Sequence, residues 1–399
     1  MFLSPAGKLL PQEETLEVKK RKSQLVIGIP KEVEFQENRV ALAPEAVGLL
    51  CQNGHRMLVE NGAGDNAYFK DSEYSEHGGE IVYNTEDVYK AEIILKIAPP
   101  SAHEINLFRP GQTLFSTITM PIQSSTYFRT MMSKKINAIA FELIKDKTKT
   151  FPLIRSMSEI AGNTAILIAA EYLCDKKYGK GRMFGGFSGI TPTEVVILGA
   201  GTVGEFAVRA AMGLGAMVKV FDNSIYRLRR LQNNLNTRIF TSIIQPKVLL
   251  KALKTADVVI GAIHSPWGRS PVVVTEDMVQ QMKFGSVIID VSIDQGGCIE
   301  TSKVTNHADP VFKKYDVTHY CVPNIASRVP HTASYALSNF FAPVLLNIGE
   351  HGGVANMLKY DEGVRKGVYL FNGTLTSQYI GDYFNLPYQS IDLLMAAFH

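Results

Sequence analysis

The chain has 399 residues, which at roughly 100–200 residues per domain predicts two domains. Hydrophobic residues make up 46% and charged residues 20%, a balance that supplies buried cores and excludes a disordered chain. The net charge of +3, from 41 bases against 38 acids, argues against a dedicated nucleic-acid or acidic-membrane binder.

The first residues, MFLSPAGKLLPQEETLEVKKRK, hold no secretory apolar core, and Glu13, Glu14 and Glu17 speak against a transit peptide. From Pro11 they read as a short helix with acids at its start and bases at its end. No apolar run reaches the ~18–20 residues of a membrane span, so a cytoplasmic protein is expected. The compact run at 25–29 (LVIGI), stopped by Pro30, predicts a buried strand, 44–54 a helix and 55–60 the next strand. Further strands are expected at 91–97 (AEIILKI) and 136–142 (INAIAFE). Strands alternating with helical stretches predict parallel βαβ units, whose strands are apolar on both faces.

A second series begins with an apolar helix at 162–175 and a glycine-dense loop at 179–189. Strands follow at 193–198, 217–221, 256–260 and 287–291, separated by helix-compatible sequence. Past Ala333 the chain turns helical, and such a tail can pack back on the first unit. The expected fold is α/β, with two Rossmann-like, doubly wound parallel sheets. Cys51, Cys174, Cys298 and Cys321 show neither CxxC pairing nor zinc spacing, so a reducing compartment and no metal centre are expected.

Gly199-Ala200-Gly201-Thr202-Val203-Gly204 is a GxGxxG between a strand (EVVIL) and a helix (EFAVRAAMGLG). Gly199 permits the tight turn, Gly201 lets the backbone approach a pyrophosphate, and Gly204 lets the helix pack on the strand. The helix N-terminus then holds the phosphates. Asp222 closes the next strand, where an acid accepts hydrogen bonds from the ribose and repels a 2′-phosphate. With no arginine immediately after it, NAD is expected over NADP.

With that motif placed, the chain resembles the alanine dehydrogenase and pyridine-nucleotide transhydrogenase family. The matching stretches are IGIPKE (27–32), ENRVAL (37–42), NGAG (61–64), SEIAG (158–162), GAGTVG (199–204), DQGG (294–297) and HYCVPNI (319–325). The resemblance implies a substrate domain built from 1–155 and 328–399, with an N-terminal extension at 1–24, around an NAD-binding domain at 156–327. The DQGG spelling is similar to alanine dehydrogenases, because transhydrogenases more often carry Glu before QGG. The implied reaction is reversible, NAD-dependent deamination of L-alanine to pyruvate and ammonium, by a homo-oligomer (hexamer or dimer) with no nucleic-acid or membrane partner.

The resemblance also implies roles. Arg39 binds the substrate carboxylate, which a guanidinium fork grips with two parallel hydrogen bonds. Lys96 contacts the substrate's carboxylate and keto oxygen, and Asp294 lies near the nicotinamide, where a carboxylate stabilises an iminium. Ser158 touches the cofactor, Asn324 lines the same cleft, and Ile263 belongs to a loop that mainly contacts cofactor. From the residues alone, Arg39 is equally a surface arginine and Lys96 a strand-closing lysine that snorkels to water. Asp294 is equally a turn residue.

One position departs from the family. In LFSTITM (114–120), Thr119 stands where alanine dehydrogenases usually carry a histidine acid–base, and a threonine takes no proton at neutral pH. Asp294 becomes the main substitute, with Lys96 and a water, and His264 and His331 are further candidates. Two other readings stay open: the soluble NAD(H)-binding component of a proton-translocating transhydrogenase, and a non-catalytic NAD-binding regulator.

Overall fold

The chain builds two sheets, each covered by helices on both faces. In this computed structural model residues 23–34, 36–120, 123–265 and 268–396 are described. The helix expected between residues 11 and 22 lies outside them. In chain order the strands are β1 (Val26–Ile29), β2 (Arg56–Glu60), β3 (Glu80–Val82), β4 (Ile93–Leu95), β5 (Thr113–Ser116) and β6 (Asn137–Ala140). Then come β7 (Glu194–Leu198), β8 (Met217–Phe221), β9 (Phe240–Ser242), β10 (Val258–Gly261), β11 (Val287–Asp290), β12 (Val311–Lys314) and β13 (Val317–Tyr320). Finally β14 (Val368–Phe371) and β15 (Thr374–Leu375) follow.

The first sheet has the order β15-β14-β6-β5-β4-β1-β2-β3, and the second β12-β13-β11-β10-β7-β8-β9. Each is parallel except at one edge, where β14 and β15 run antiparallel in the first sheet and β12 in the second. In each sheet the strand order reverses about its first strand: β1 pairs with both β2 and β4, and β7 with both β8 and β10. A crevice opens at the carboxyl ends of the strands at such a switch point, and ligands of open α/β sheets bind there.

Alternation along the strands sorts the core into layers. In β7, Val195 and Ile197 face the helices Pro152–Cys174 and Thr202–Gly213, while Val196 and Leu198 face the helix Pro246–Thr255. All four are fully buried. Two long helices tie the sheets together. Pro152–Cys174 sets Leu153 into the first core and Ala165, Ile166 and Ile168 into the second. Pro330–Glu350 returns the chain, burying Leu337, Phe341, Leu345 and Ile348 in the first core. Gly162 of the SEIAG stretch permits a close approach of the helix Thr202–Gly213, since a Cβ there would stand 2.4 Å from the carbonyl oxygen of Val203.

The tail departs from the helical expectation. Val368–Phe371 (VYLF) is buried throughout and adds β14 to the first sheet beside β6. A four-residue apolar run fits a buried strand and a helix segment equally, and here the open edge of β6 decides.

Candidate active site

The dinucleotide turn follows β7. Gly199 has φ +108°, a left-handed conformation, and a Cβ there would lie 2.3 Å from the carbonyl oxygen of Ala262 at the end of β10. A Cβ on Gly204 would stand 1.9 Å from the Gly199 oxygen, so the helix Thr202–Gly213 starts hard against the turn. Around Gly201 nothing lies within 4 Å of a Cβ position, which leaves open space in front of the helix N-terminus. Asp222, buried at the end of β8, accepts the Ala200 N–H at 2.8 Å and the Ser224 N–H at 2.7 Å. It braces the turn and retains lone pairs for a further donor.

A cleft of about 320 Å³ opens beside this turn. One wall is a face of the helix Pro152–Cys174, where Ile154, Met157, Ser158 and Ala161 recur at helical spacing. Val203, Ile263 and His264 form another part, and Arg39, Asp294 and Asn324 bring polar groups to it. Gly199, Gly201, Thr202, Gly204 and Asp222 continue from Val203 along the turn. The structure therefore brings Arg39, Ser158, Val203, Ile263, Asp294 and Asn324 into one cavity.

Arg39 is 8% exposed, and its charge is tied to Glu37. Nε donates to Glu37 Oε1 at 2.7 Å and Nη2 to Glu37 Oε2 at 2.6 Å, while Nη1 meets Met157 Sδ at 3.3 Å. Glu37 takes the side of the guanidinium carrying Nε. The end formed by Nη1 and Nη2 keeps donors for a second carboxylate. Burial opposes the charge on both partners, yet their pairing outweighs it: the Glu37 carboxyl is held below the usual range and Arg39 is raised. Glu37 is a site residue that the sequence reading missed, although it stands two places before Arg39 in ENRVAL.

Asp294 lies in the tight turn Val291–Gln295 after β11, with Gly296 and Gly297 in left-handed conformations behind it. It is open to solvent in the cleft, and the bulk of protein packed around it raises its carboxyl above the ordinary range. The Asn324 N–H and Arg39 limit that rise. The Asn324 N–H donates to Asp294 Oδ1 at 2.8 Å, and its Nδ2 donates to Glu37 Oε2 at 2.8 Å. One asparagine, itself at φ +56°, thus links the Glu37–Arg39 pair to Asp294.

Lys96 stands apart from these residues. It is fully buried, its Nζ stands 2.7 Å from Glu104 Oε1 and 3.2 Å from Glu32 Oε2, and it is not part of the cleft wall. Burial works against its charge, but Glu32 and Glu104 more than offset this and raise its pKa. Two carboxylates so close hold Lys96 in its protonated form near neutrality.

The histidine candidates separate. His331 stacks on Phe69 at 4.8 Å and stands 5.1 Å from Tyr335, apart from the cleft wall. His264 lines the cleft, and burial followed by the charge of Arg227 lowers its pKa. Thr119 is exposed, with φ +49° and its Oγ1 3.2 Å from Thr117 Oγ1.

Behind that segment stands Glu142. Its Oε1 accepts the Ile118 N–H at 2.7 Å, its Oε2 is buried without a hydrogen-bond partner, and burial pushes the carboxyl up to about 7. The unfolded chain loses this proton near pH 4.5 and the folded chain only near 7, so stability falls as pH rises through that window. The shift corresponds to about 3 kcal/mol. Glu142→Gln, which carries no charge, is expected to raise the melting temperature at about pH 8 and to change it little at about pH 5. A melting temperature that is equal in both proteins at both pH values would contradict this.

Among known proteins, the alanine dehydrogenase/PNT family matches twice, by its N-terminal domain over residues 28–161 and by its C-terminal domain over 165–378. An alanine dehydrogenase of Staphylococcus saprophyticus is 36% identical over 369 residues, 92% of this chain and 99% of that protein. An alanine dehydrogenase of Bacillus subtilis is 39% identical over 353 residues, 88% of this chain and 93% of that one. A solved L-alanine dehydrogenase superposes with a TM-score of 0.85 at 34% identity, covering 90% of this chain and 99% of that chain. A transhydrogenase from Sinorhizobium meliloti shares the fold, with a TM-score of 0.76 at 24% identity over 89% of this chain and 99% of that chain. Among the described residues no helix is long and apolar enough to cross a membrane, and no cluster of metal ligands occurs.

Proposed function

The chain belongs to the alanine dehydrogenase/PNT family, and from that membership we propose that it is an NAD-dependent alanine dehydrogenase. L-alanine, NAD and water give pyruvate, ammonium and NADH with release of a proton. The observation that carries this reading is the placement of Arg39 and Asp294 in one cleft beside the glycine turn. A binding-only protein has no use for a guanidinium end and a carboxylate that share one cleft beside a nicotinamide seat.

The residues fit a dinucleotide. Open space at Gly201 exposes the N–H groups of a helix N-terminus to a pyrophosphate, and the braced carboxylate of Asp222 retains capacity for a ribose hydroxyl. That carboxylate also supports NAD over NADP, because it repels a 2′-phosphate. We assign the second sheet and its helices to the dinucleotide and the first sheet, with β14 and β15, to the substrate. NAD, when bound, accepts the hydride that leaves Cα.

The chain's own residues do the rest. Nη1 and Nη2 of Arg39 hold the substrate carboxylate and fix the direction in which Cα presents its hydrogen. Ser158, Val203 and Ile263 would shape the wall that receives a nicotinamide. Asp294 stabilises the positive charge of the iminium and takes the proton of the water that attacks it.

The assay that tests the reading is NADH formation by the purified chain with L-alanine, against a panel of other L-amino acids and against NADP. Arg39→Lys keeps the charge and loses the two-point grip. It is expected to raise the alanine KM about 10–100-fold, the worth of one charged hydrogen bond, with the NADH dissociation constant unchanged. A tenfold loss of NADH affinity in that variant would remove the carboxylate role from Arg39.

A further inference from the structure

Arg39 reaches its third nitrogen toward an unexpected partner. Nη1 stands 3.3 Å from the sulfur of Met157, which lines the cleft from the helix Pro152–Cys174. Glu37 has already taken Nε and one donor of Nη2, so the sulfur sits on the end of the guanidinium that an incoming carboxylate needs. A thioether is a weak acceptor, whereas a carboxylate oxygen accepts a strong, charge-assisted bond. Methionine is also unbranched and flexible, so it yields the place without moving the helix. Its neighbours on the same helix face, Ile154 and Ala161, are apolar and line the same cleft.

We propose that Met157 guards the carboxylate seat on Arg39 and, once displaced by the substrate, closes over Cα to limit the side chain that the site accepts. The proposal rests on Arg39 holding the carboxylate. A sulfur within bonding distance of Nη1 cannot retreat far when an oxygen takes its place. It comes to lie against the substituents of the carbon next to the carboxylate, one of which is the amino-acid side chain. The thioether thereby makes the seat small. A methyl group fits, and each further carbon must push against Met157. Pockets of this kind discriminate by about 10–200-fold per methylene.

The experiment compares kcat/KM for L-alanine, L-2-aminobutyrate and L-valine in the full chain and two variants. Met157→Ala is expected to raise the ratio of 2-aminobutyrate to alanine, and of valine to alanine, at least about tenfold. Met157→Leu keeps the bulk but removes the sulfur. It is expected to keep the parent's preference for alanine and to leave the alanine KM equal or lower. Should Met157→Ala fail to fold, as judged by loss of NADH binding, Met157→Val carries the same expectation.

Unchanged substrate ratios in the shortened variant would overturn the proposal. So would a broadened preference in Met157→Leu equal to that of Met157→Ala. Arg39→Lys separates this failure from failure of the underlying reading. If it raises the KM of every amino acid while Met157→Ala alters no ratio, the carboxylate seat stands and the guard falls. If Arg39→Lys alters no KM, the seat itself is misplaced, and the guard falls with it.

Discussion

Asp294→Asn is expected to lose about 10²–10⁴-fold in kcat while still binding NADH, the usual cost of removing a positioned acid–base group. The asparagine has almost the same shape, and its side-chain oxygen still accepts the Asn324 N–H, so the cleft keeps its form. Only the proton-accepting charge is gone. Because burial raises the Asp294 carboxyl, the acid limb of the parent's pH–rate profile should lie above the ordinary carboxylate range and vanish from the residual activity of the variant. His264→Ala is the control, since His264 places an imidazole on the same cleft wall. An inactive His264→Ala beside an active Asp294→Asn would move the proton path to the loop after β10.

Lys96→Met is expected to destabilise the fold by about 3–5 kcal/mol, the cost of breaking a buried pair and leaving its partners uncompensated. Glu32 and Glu104 would then face each other in a dry pocket. Glu32 already has a raised carboxyl through burial, with only Lys96 and the Ile97 N–H among its contacts to oppose this, while Glu104 depends on Lys96 to stay low. The denaturation midpoint reports the loss. Where the variant is still folded, its alanine KM should stay close to the parent's. A large rise in KM with unchanged stability would return Lys96 to the substrate.

That lysine shows where sequence reading stops. Its place at the site is implied by the family resemblance, and β4, which it follows, does end at a switch point. Side chains at a strand end alternate, however, so one residue decides between cleft and interior. Its partners come from the loop after β1 and a helix after β4, and no local pattern announces them. The glycine turn was legible because strand, turn, helix and acid all lie within a short stretch whose geometry each residue type dictates. Arg39 and Asp294 were legible through their motifs.

Glu37 and Met157 were not legible as site residues, since their roles exist only through Arg39. For Met157 that contact bridges 118 residues. The edge strands escaped for another reason. β3 and β9 are three residues long and only partly buried, so they lack the apolar run that marks β7 or β10. β14 carries such a run but sits among helices.

Hydride transfer from the Cα of alanine to NAD, directed by Arg39 and Asp294 within one cleft, is the step that the proposed function requires. L-alanine deuterated at Cα tests this directly when incubated with NAD and the full chain, with the reduced cofactor then examined by mass spectrometry. One deuterium in each NADH formed, with pyruvate in equal amount, is the expected result. NADH without deuterium, or a chain that binds NADH yet forms none from alanine, would contradict it.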